Sequence, residues 1–196
     1  MAFKDKLIDR IIDLEWALFQ EVQGVNGPAS CQQDRKTFEV MRRSQALAWS
    51  VETLESYLGD LKSAQAQGRN LITEKYAHMM ASTDPDAYAR LANRLPPLSA
   101  DTRDLIDTIT AIVIAWEQAL AKAFPNLLRR GRPLLSSADG AGVASLETYL
   151  RGELATYSPT TLKHHLNHLE NQKRAQINGA QITLEFMVSR SGYASL

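Results

Sequence analysis

The sequence contains a single cysteine and no excess of either charge, and both shortages exclude classes of protein. Cys31 has no second cysteine with which to form an internal disulfide, which is typical of proteins from reducing compartments. The 22 basic residues are matched by 22 acidic residues, so the chain has no net field to attract nucleic acid or an anionic membrane surface. We therefore expect neither nucleic acid nor a membrane as a partner.

Long apolar runs are missing as well. No run of about 18 apolar residues could span a bilayer, and the charged N-terminal stretch MAFKDKLIDRIIDLEW is unlike a signal peptide. We therefore expect a cytoplasmic protein. The 196 residues, 44% of them hydrophobic, predict a single globular domain over residues 1–196, because a chain of this size buries one core but hardly two.

Apolar residues recur at helical spacing along most of the sequence, and turn or capping signals divide them into segments. Those signals are the GVNGP turn, Ser50, Gly68, Asp84-Pro85, Ser99, Ser145 and Ser158-Pro159. The pattern predicts an all-α fold, a helical bundle of about eight helices. The segment 101–124 has a wide apolar face with almost no polar group on it, so we expect it to supply packing rather than chemistry.

Residues 125–144 show no sustained period and mix arginines with glycines and a proline. A loop of this length predicts either a disordered segment or a lid over a site. Arg129, Arg130 and Arg132 would clamp an anionic group under such a lid, although a solvated basic loop is the simpler interpretation.

Three acidic residues project near the middle of apolar helix faces, where carboxylates are unusual. Glu15 lies on the first helix (residues 3–23), Asp34 on the second (from 31 or 33 to 49), and Glu153 on the helix after Ser145. Each has an ordinary explanation as a paired structural acid or, for Asp34, as a helix cap. If the three acids converge, repulsion and desolvation raise at least one pKa unless Arg42, a metal or a ligand cation neutralises them.

The first hypothesis is therefore a small-molecule site inside the bundle, with general acid or base catalysis by Glu15, Asp34 and Glu153 as one use of it. Five further residues are expected to contact the ligand: Arg42, Gln45, Tyr149, Tyr157 and Cys31. Cys31 follows a turn at a helix N-terminus, where a thiol can become a nucleophile; a small buried thiol is the simpler interpretation.

Two other classes remain open. The same acids could ligate magnesium or manganese in a metalloenzyme, although a di-iron site is disfavoured because no Glu-x-x-His motif occurs. His164 and His168 lie one turn apart, but no third metal ligand is identifiable near them. Alternatively, the chain is a non-enzymatic interaction module whose core acids only fix helix register, which would show satisfied acids and no cavity. The metal, the cofactor and homo-oligomer formation stay undecided.

Four sequence blocks resemble a bacterial family of unknown function, DUF4125. The blocks are DLEWALFQEV, ASCQQDRKTFEVMRRSQ, GRNLITEKYAHMM and ETYLRGELATYS. They occur in the same order and extend over nearly the whole chain. The resemblance implies no established activity. It implies only that certain residues lie in the family's blocks: Glu15, Glu21, Cys31, Asp34, Arg42, Gln45, Glu74, Tyr76, Tyr149, Arg151, Glu153 and Tyr157.

Overall fold

Helices dominate the structure of the chain. The computed structural model describes residues 2–23, 27, 30–128, 131–140 and 143–190. The α-helices are α1 (Phe3–Gln20), α2 (Arg35–Leu47), α3 (Val51–Ala66), α4 (Leu71–Thr83), α5 (Pro85–Leu91), α6 (Ala100–Ala123), α7 (Pro125–Leu128), α8 (Leu146–Leu154), α9 (Pro159–Arg174) and α10 (Gly179–Arg190). Within these ranges the only β-type pairing is an isolated bridge between Gly140 and Val143. The predicted all-α class is confirmed.

The helix starts agree with the capping signals in the sequence. The side-chain oxygens of the predicted cap residues each accept a hydrogen bond from a backbone N–H in the first turn of the following helix; these residues are Ser50, Asp84, Ser99, Ser145 and Ser158. Gly68 ends α3 with a φ of 68°, a left-handed conformation that glycine adopts without steric cost. Local rules therefore set most of the helix boundaries.

The main core forms where α3 packs between α1 and α9 and where α6 packs against α8 and α9. Its fully buried apolar members come from these five helices: Ile8, Ile11, Leu54, Tyr57, Leu61, Ile109, Leu154 and Leu162. Helix α4 packs along α8, and α10 contacts both α2 and α6. This arrangement brings the inner faces of α1, α2, α4 and α8 together, which positions the polar residues described below.

The described part of the 125–144 segment is attached to the start of α8. The N–H groups of Leu146 and Glu147 donate to the carbonyls of Pro133 (2.8 Å) and Leu134 (3.0 Å). The Asp139 carboxylate accepts from the N–H of Ser145 at 2.6 Å. Arg129 and Arg130, which the sequence placed in an anion clamp, lie outside the described residues.

None of the described helices is both long and apolar enough to cross a membrane.

Candidate functional site

Arg42 gathers the buried acids of α1 and α8. Its Nε and Nη2 donate to the two oxygens of Glu15 at 2.8 and 2.5 Å. Its Nη1 and Nη2 donate to the two oxygens of Glu153 at 3.2 and 3.0 Å, and Nη1 also donates to Oε1 of Gln45 at 2.6 Å. A guanidinium has five N–H groups, so every donor of Arg42 is used. Arg42 and Glu15 are 8% and 0% exposed, which makes these interactions a buried ion-pair system.

A second cation and two tyrosines complete the set. Lys75 on α4 donates to Oε2 of Glu153 at 2.7 Å, and its Nζ lies 3.5 Å from the ring centroid of Tyr149. Tyr57 donates its hydroxyl to Glu15 at 2.7 Å, and Tyr157 donates to Glu153 at 2.8 Å. We call the group the Arg42 network; its members are Glu15, Arg42, Gln45, Tyr57, Lys75, Glu153 and Tyr157. Two carboxylates face two cations, so the network is neutral overall.

The contact between Lys75 and Glu153 depends on a close approach of α4 and α8 at Gly152. A Cβ atom built on Gly152 would lie 2.6 Å from Cγ of Met79 and 2.8 Å from the carbonyl oxygen of Lys75. Only glycine fits there without a shift of one helix. The next residue along α8, Glu153, therefore comes within ion-pair distance of α4.

The network shifts the pKa of Glu153 and of its two tyrosines. Burial alone would raise the pKa of the Glu153 carboxyl, but Arg42 and Lys75 hold that pKa well below its usual range. Burial raises the pKa of both Tyr57 and Tyr157 well above the usual value, so both hydroxyls remain donors. The pKa of Glu153 is therefore not elevated, as expected where a cation such as Arg42 neutralises the acids, because two cations outweigh its desolvation.

Asp34 lies outside the network, so its predicted position on the inner face of the second helix is wrong. Helix α2 begins at Arg35, and Asp34 is the exposed cap that precedes it. Its carboxylate accepts from the N–H and the hydroxyl of Thr37 at 3.0 and 2.7 Å, and these hydrogen bonds lower its pKa. A helical projection started at residue 31 or 33 does not apply to a residue before the first turn.

Cys31 is exposed in a short 3₁₀ turn, Ser30–Gln33, so the interpretation as a small buried thiol is wrong. No hydrogen bond joins Cys31 to the Arg42 network in the described part of the chain.

Metal ligands are not grouped in the part of the chain that the structure describes. No three histidine, cysteine, aspartate or glutamate side chains there are arranged to hold a metal ion. His164 is exposed, whereas Nε2 of His168 donates to the carbonyl of Ala48 at 2.8 Å. The charges of Glu15 and Glu153 are balanced by Arg42 and Lys75 instead.

A cavity of about 120 Å³ lies beside the Arg42 network, among α2, α6, α8, α9 and α10. We call it the network cavity. Gln45, Glu153 and Tyr157 belong to both the network and the cavity wall. Most of the remaining wall is apolar or aromatic: Ala48, Trp49, Val113, Trp116, Leu146, Tyr149, Leu150, Leu154, Leu169 and Ala180. The described residues of the 125–144 segment do not contribute to this wall.

Three polar side chains in the cavity wall have unused hydrogen-bonding capacity. Nδ1 of His165 and Oε1 of Gln172 are buried without a hydrogen-bond partner among the described residues. Burial lowers the pKa of His165 to about 4, so its imidazole is neutral at pH 7. The Glu117 carboxylate on α6 receives no hydrogen bond or ion pair from the residues described, and burial raises its pKa. Two of these groups, the Glu117 carboxylate and Oε1 of Gln172, can only accept hydrogen bonds.

Residues 5–196 match a family whose description reads "Protein of unknown function (DUF4125)". The chain belongs to DUF4125. The resemblance found in the four sequence blocks is confirmed. No curated protein and no solved structure matches the chain. Because membership of DUF4125 carries no activity with it, a function has to be inferred from the geometry.

Several site residues of this DUF4125 chain were missed in the sequence, although their spacing gave a signal. Lys75 lies four residues after Leu71 and four before Met79, which are both on the buried face of α4. His165 has the same relation to Leu162 and Leu169 on α9, at three and four residues. A polar residue inside an apolar period indicates a buried polar side chain whatever its charge, for Lys75 and His165 as for Glu15.

Glu117 is a half-buried acid on α6, a helix that we expected to carry almost no polar group on its apolar face. It follows Val113 by four residues and lies at the edge of the apolar face of α6, where it reaches the network cavity. Burial of a residue at the edge of an apolar helix face depends on which helix packs there. The burial of such a residue therefore cannot be predicted from the helical period alone.

Proposed function

We propose that this DUF4125 chain binds a small organic molecule in the network cavity. The observation that carries the proposal is a pair of buried atoms in one cavity wall, Nδ1 of His165 and Oε1 of Gln172, that have no hydrogen-bond partner in the described part of the chain. A buried polar atom without a partner costs about 1–3 kcal/mol, and folded proteins retain few of them. A bound molecule that supplies the missing hydrogen bonds would recover that free energy.

The volume limits the size of the molecule. A cavity of about 150 Å³ accommodates benzene, so the 120 Å³ network cavity takes a compact molecule of a similar size or slightly smaller. A nucleotide is larger than this volume and would extend beyond it. Apolar walls with a few polar groups are typical of small-molecule sites, in which the polar groups determine orientation.

The Arg42 network serves this proposal as a rigid wall. It holds Gln45, Glu153 and Tyr157 in place through charge-assisted hydrogen bonds, which are stronger than neutral ones. These three residues, with Tyr149, retain the ligand-contact role that the sequence predicted for them, as part of the proposal. A catalytic use of the site would assign proton transfer to His165, which is neutral and unpartnered, rather than to the fully bonded Glu153.

The test uses the full chain and a library of compact fragments, with binding measured by thermal shift and by ligand-observed NMR. Gln172→Met nearly conserves the side-chain volume and removes the unpaired acceptor, together with the 3.3 Å hydrogen bond that Nε2 donates to the carbonyl of Ala48. We expect fragments that bind the wild type to lose about tenfold in affinity for this variant, equivalent to about 1.4 kcal/mol. Gln65→Met, the same change at an exposed position of α3, is the matched control and should bind as the wild type does.

Two results would contradict the proposal. One is a wild-type protein that binds no fragment in the library. The other is an equal loss of binding in the Gln172→Met and Gln65→Met variants, which would place the bound fragments outside the network cavity.

A further inference from the structure

We infer that the network cavity selects a small primary amine, bound as a cation with its ammonium group at Glu117 and Gln172 and its apolar part against Trp116. This inference rests on the proposed function and names the chemical class of its ligand. It depends on which side chains of the wall are charged, which are unpaired, and which can only accept hydrogen bonds.

Glu117 differs from Glu15 and Glu153 in having no cation beside it among the described residues. Glu15 and Glu153 are each bonded to Arg42, and Glu153 also to Lys75. The half-buried Glu117 lacks such a partner in the described part of the chain, and burial raises its pKa because nothing offsets the desolvation of its charged form. A carboxylate removed from water without a cation is unfavourable, so a ligand that brings a positive charge gains an interaction that the protein leaves open.

The unpaired groups of the wall favour a donor. A carboxylate and an amide oxygen only accept hydrogen bonds, and an ammonium group has three N–H donors to offer them. Among the described residues the wall contains neither lysine nor arginine, so an anionic ligand would meet Glu117 and Glu153 with no free cation from this part of the chain. A quaternary ammonium would satisfy the charge but would leave Oε1 of Gln172 unpartnered, since it has no N–H.

The aromatic part of the wall agrees with an amine on an apolar body. Trp116 lies next to Glu117 in sequence and lines the same cavity, as does Trp49. Indole rings attract cations through their negative faces and also bury hydrocarbon. The neutral His165 adds no positive charge that would oppose a cation.

The experiment compares cyclopentylamine with cyclopentanol, two probes that share a ring and differ in charge. Isothermal titration calorimetry at pH 7.5 with the full chain should show the amine binding at least about tenfold more tightly than the alcohol, a difference of about 1.4 kcal/mol. Glu117→Gln should remove this preference and leave cyclopentanol binding unchanged. Glu117→Asp keeps the charge and should retain part of the preference. Glu170→Gln, the same change at an exposed position of α9, should bind both probes as the wild type does.

The outcomes separate the inference from the proposed function. Equal affinities for cyclopentylamine and cyclopentanol would overturn the amine inference and leave the network cavity as a binding site. An amine preference that survives in Glu117→Gln, with circular dichroism showing a folded variant, would also overturn it. Failure of both probes together with every neutral fragment would overturn the inference and the proposed function alike.

Discussion

The substitution Glu15→Gln tests the stabilising role of the Arg42 network most directly. The side chain of Glu15 is fully buried and accepts hydrogen bonds from Nε and Nη2 of Arg42 and from the Tyr57 hydroxyl. Glutamine conserves the shape but removes the charge, so Arg42 and Lys75 are left with one carboxylate. The amide nitrogen of the glutamine is a donor, so it cannot accept the hydrogen bond that one carboxylate oxygen of Glu15 accepts from Arg42 or Tyr57.

The expected loss is large for a single isosteric change. Removal of one partner from a buried ion pair costs about 3–5 kcal/mol, because the remaining charge stays buried without compensation. The total stability of a domain is about 5–15 kcal/mol, so this loss is a substantial part of it. For a chain of this length each kcal/mol lowers Tm by roughly 2–4 °C, which predicts a decrease of about 6–20 °C.

Urea unfolding followed by far-UV circular dichroism and by tryptophan fluorescence measures the loss. Trp49 packs edge-on against the Tyr57 ring at a centroid distance of 5.6 Å, so its fluorescence reports on the network. Glu39→Gln is the matched control, since Glu39 pairs with Arg43 at 3.2 Å with 46% of its side chain exposed, and should cost well under 1 kcal/mol. If Glu15→Gln costs no more than Glu39→Gln, the network does not stabilise the fold as described.

Further predictions concern His165 and the α4–α8 contact. In the unfolded chain His165 binds a proton below its ordinary pKa of 6.5, whereas in the folded protein it does so only below about 4. The free energy of unfolding should therefore fall by roughly 3 kcal/mol as the pH decreases from the first pKa to the second. Urea titrations at several pH values should show a smaller decrease in His165→Gln; an unchanged slope would refute this assignment. Gly152→Ala should destabilise the fold by about 1–3 kcal/mol, because its Cβ would contact Met79 and the Lys75 carbonyl, whereas Gly59→Ala on α3 has open space and should be neutral or slightly stabilising. Equal Tm values for the two alanine variants would contradict the close approach.

The helices of this chain could be predicted from the sequence because their signals are local. Ser99 and Ser145 act within one turn of the helices that they cap, and Gly68 acts at the single residue where α3 ends. Such signals need no knowledge of the neighbouring helices. The start of α2 was one exception, because a 3₁₀ turn at Ser30–Gln33 precedes it. Helix α7 was another, since it lies in the segment predicted to be a loop.

The site could be predicted only in part, because it depends on contacts between helices. Periodicity placed Glu15 and Glu153 on inner faces, and the expectation of a neutralising cation led to Arg42, which the structure confirms. Lys75 could have been found by the same periodicity. The close approach of α8 to α4, which brings Lys75 to Glu153, could not be predicted. The absence of a side chain at Gly152 matters only because α4 packs against it, and the sequence does not show which helices are neighbours.

The network and the cavity share residues, but the side chains that stabilise the fold differ from those that would determine which ligand binds. The first are fully hydrogen-bonded within the protein, whereas the second have unused acceptors. Each carboxylate oxygen of Glu153 already accepts two hydrogen bonds, so a ligand gains little from it. Glu117 and Gln172 hold the unused acceptors and contribute no ion pair to the fold among the described residues. Substitutions of network residues outside the cavity wall, such as Glu15, should therefore lower stability without changing the order of ligand affinities. Substitutions at Glu117 should change that order at little cost in stability, because an acceptor that is unpaired in the free protein stabilises only the complex.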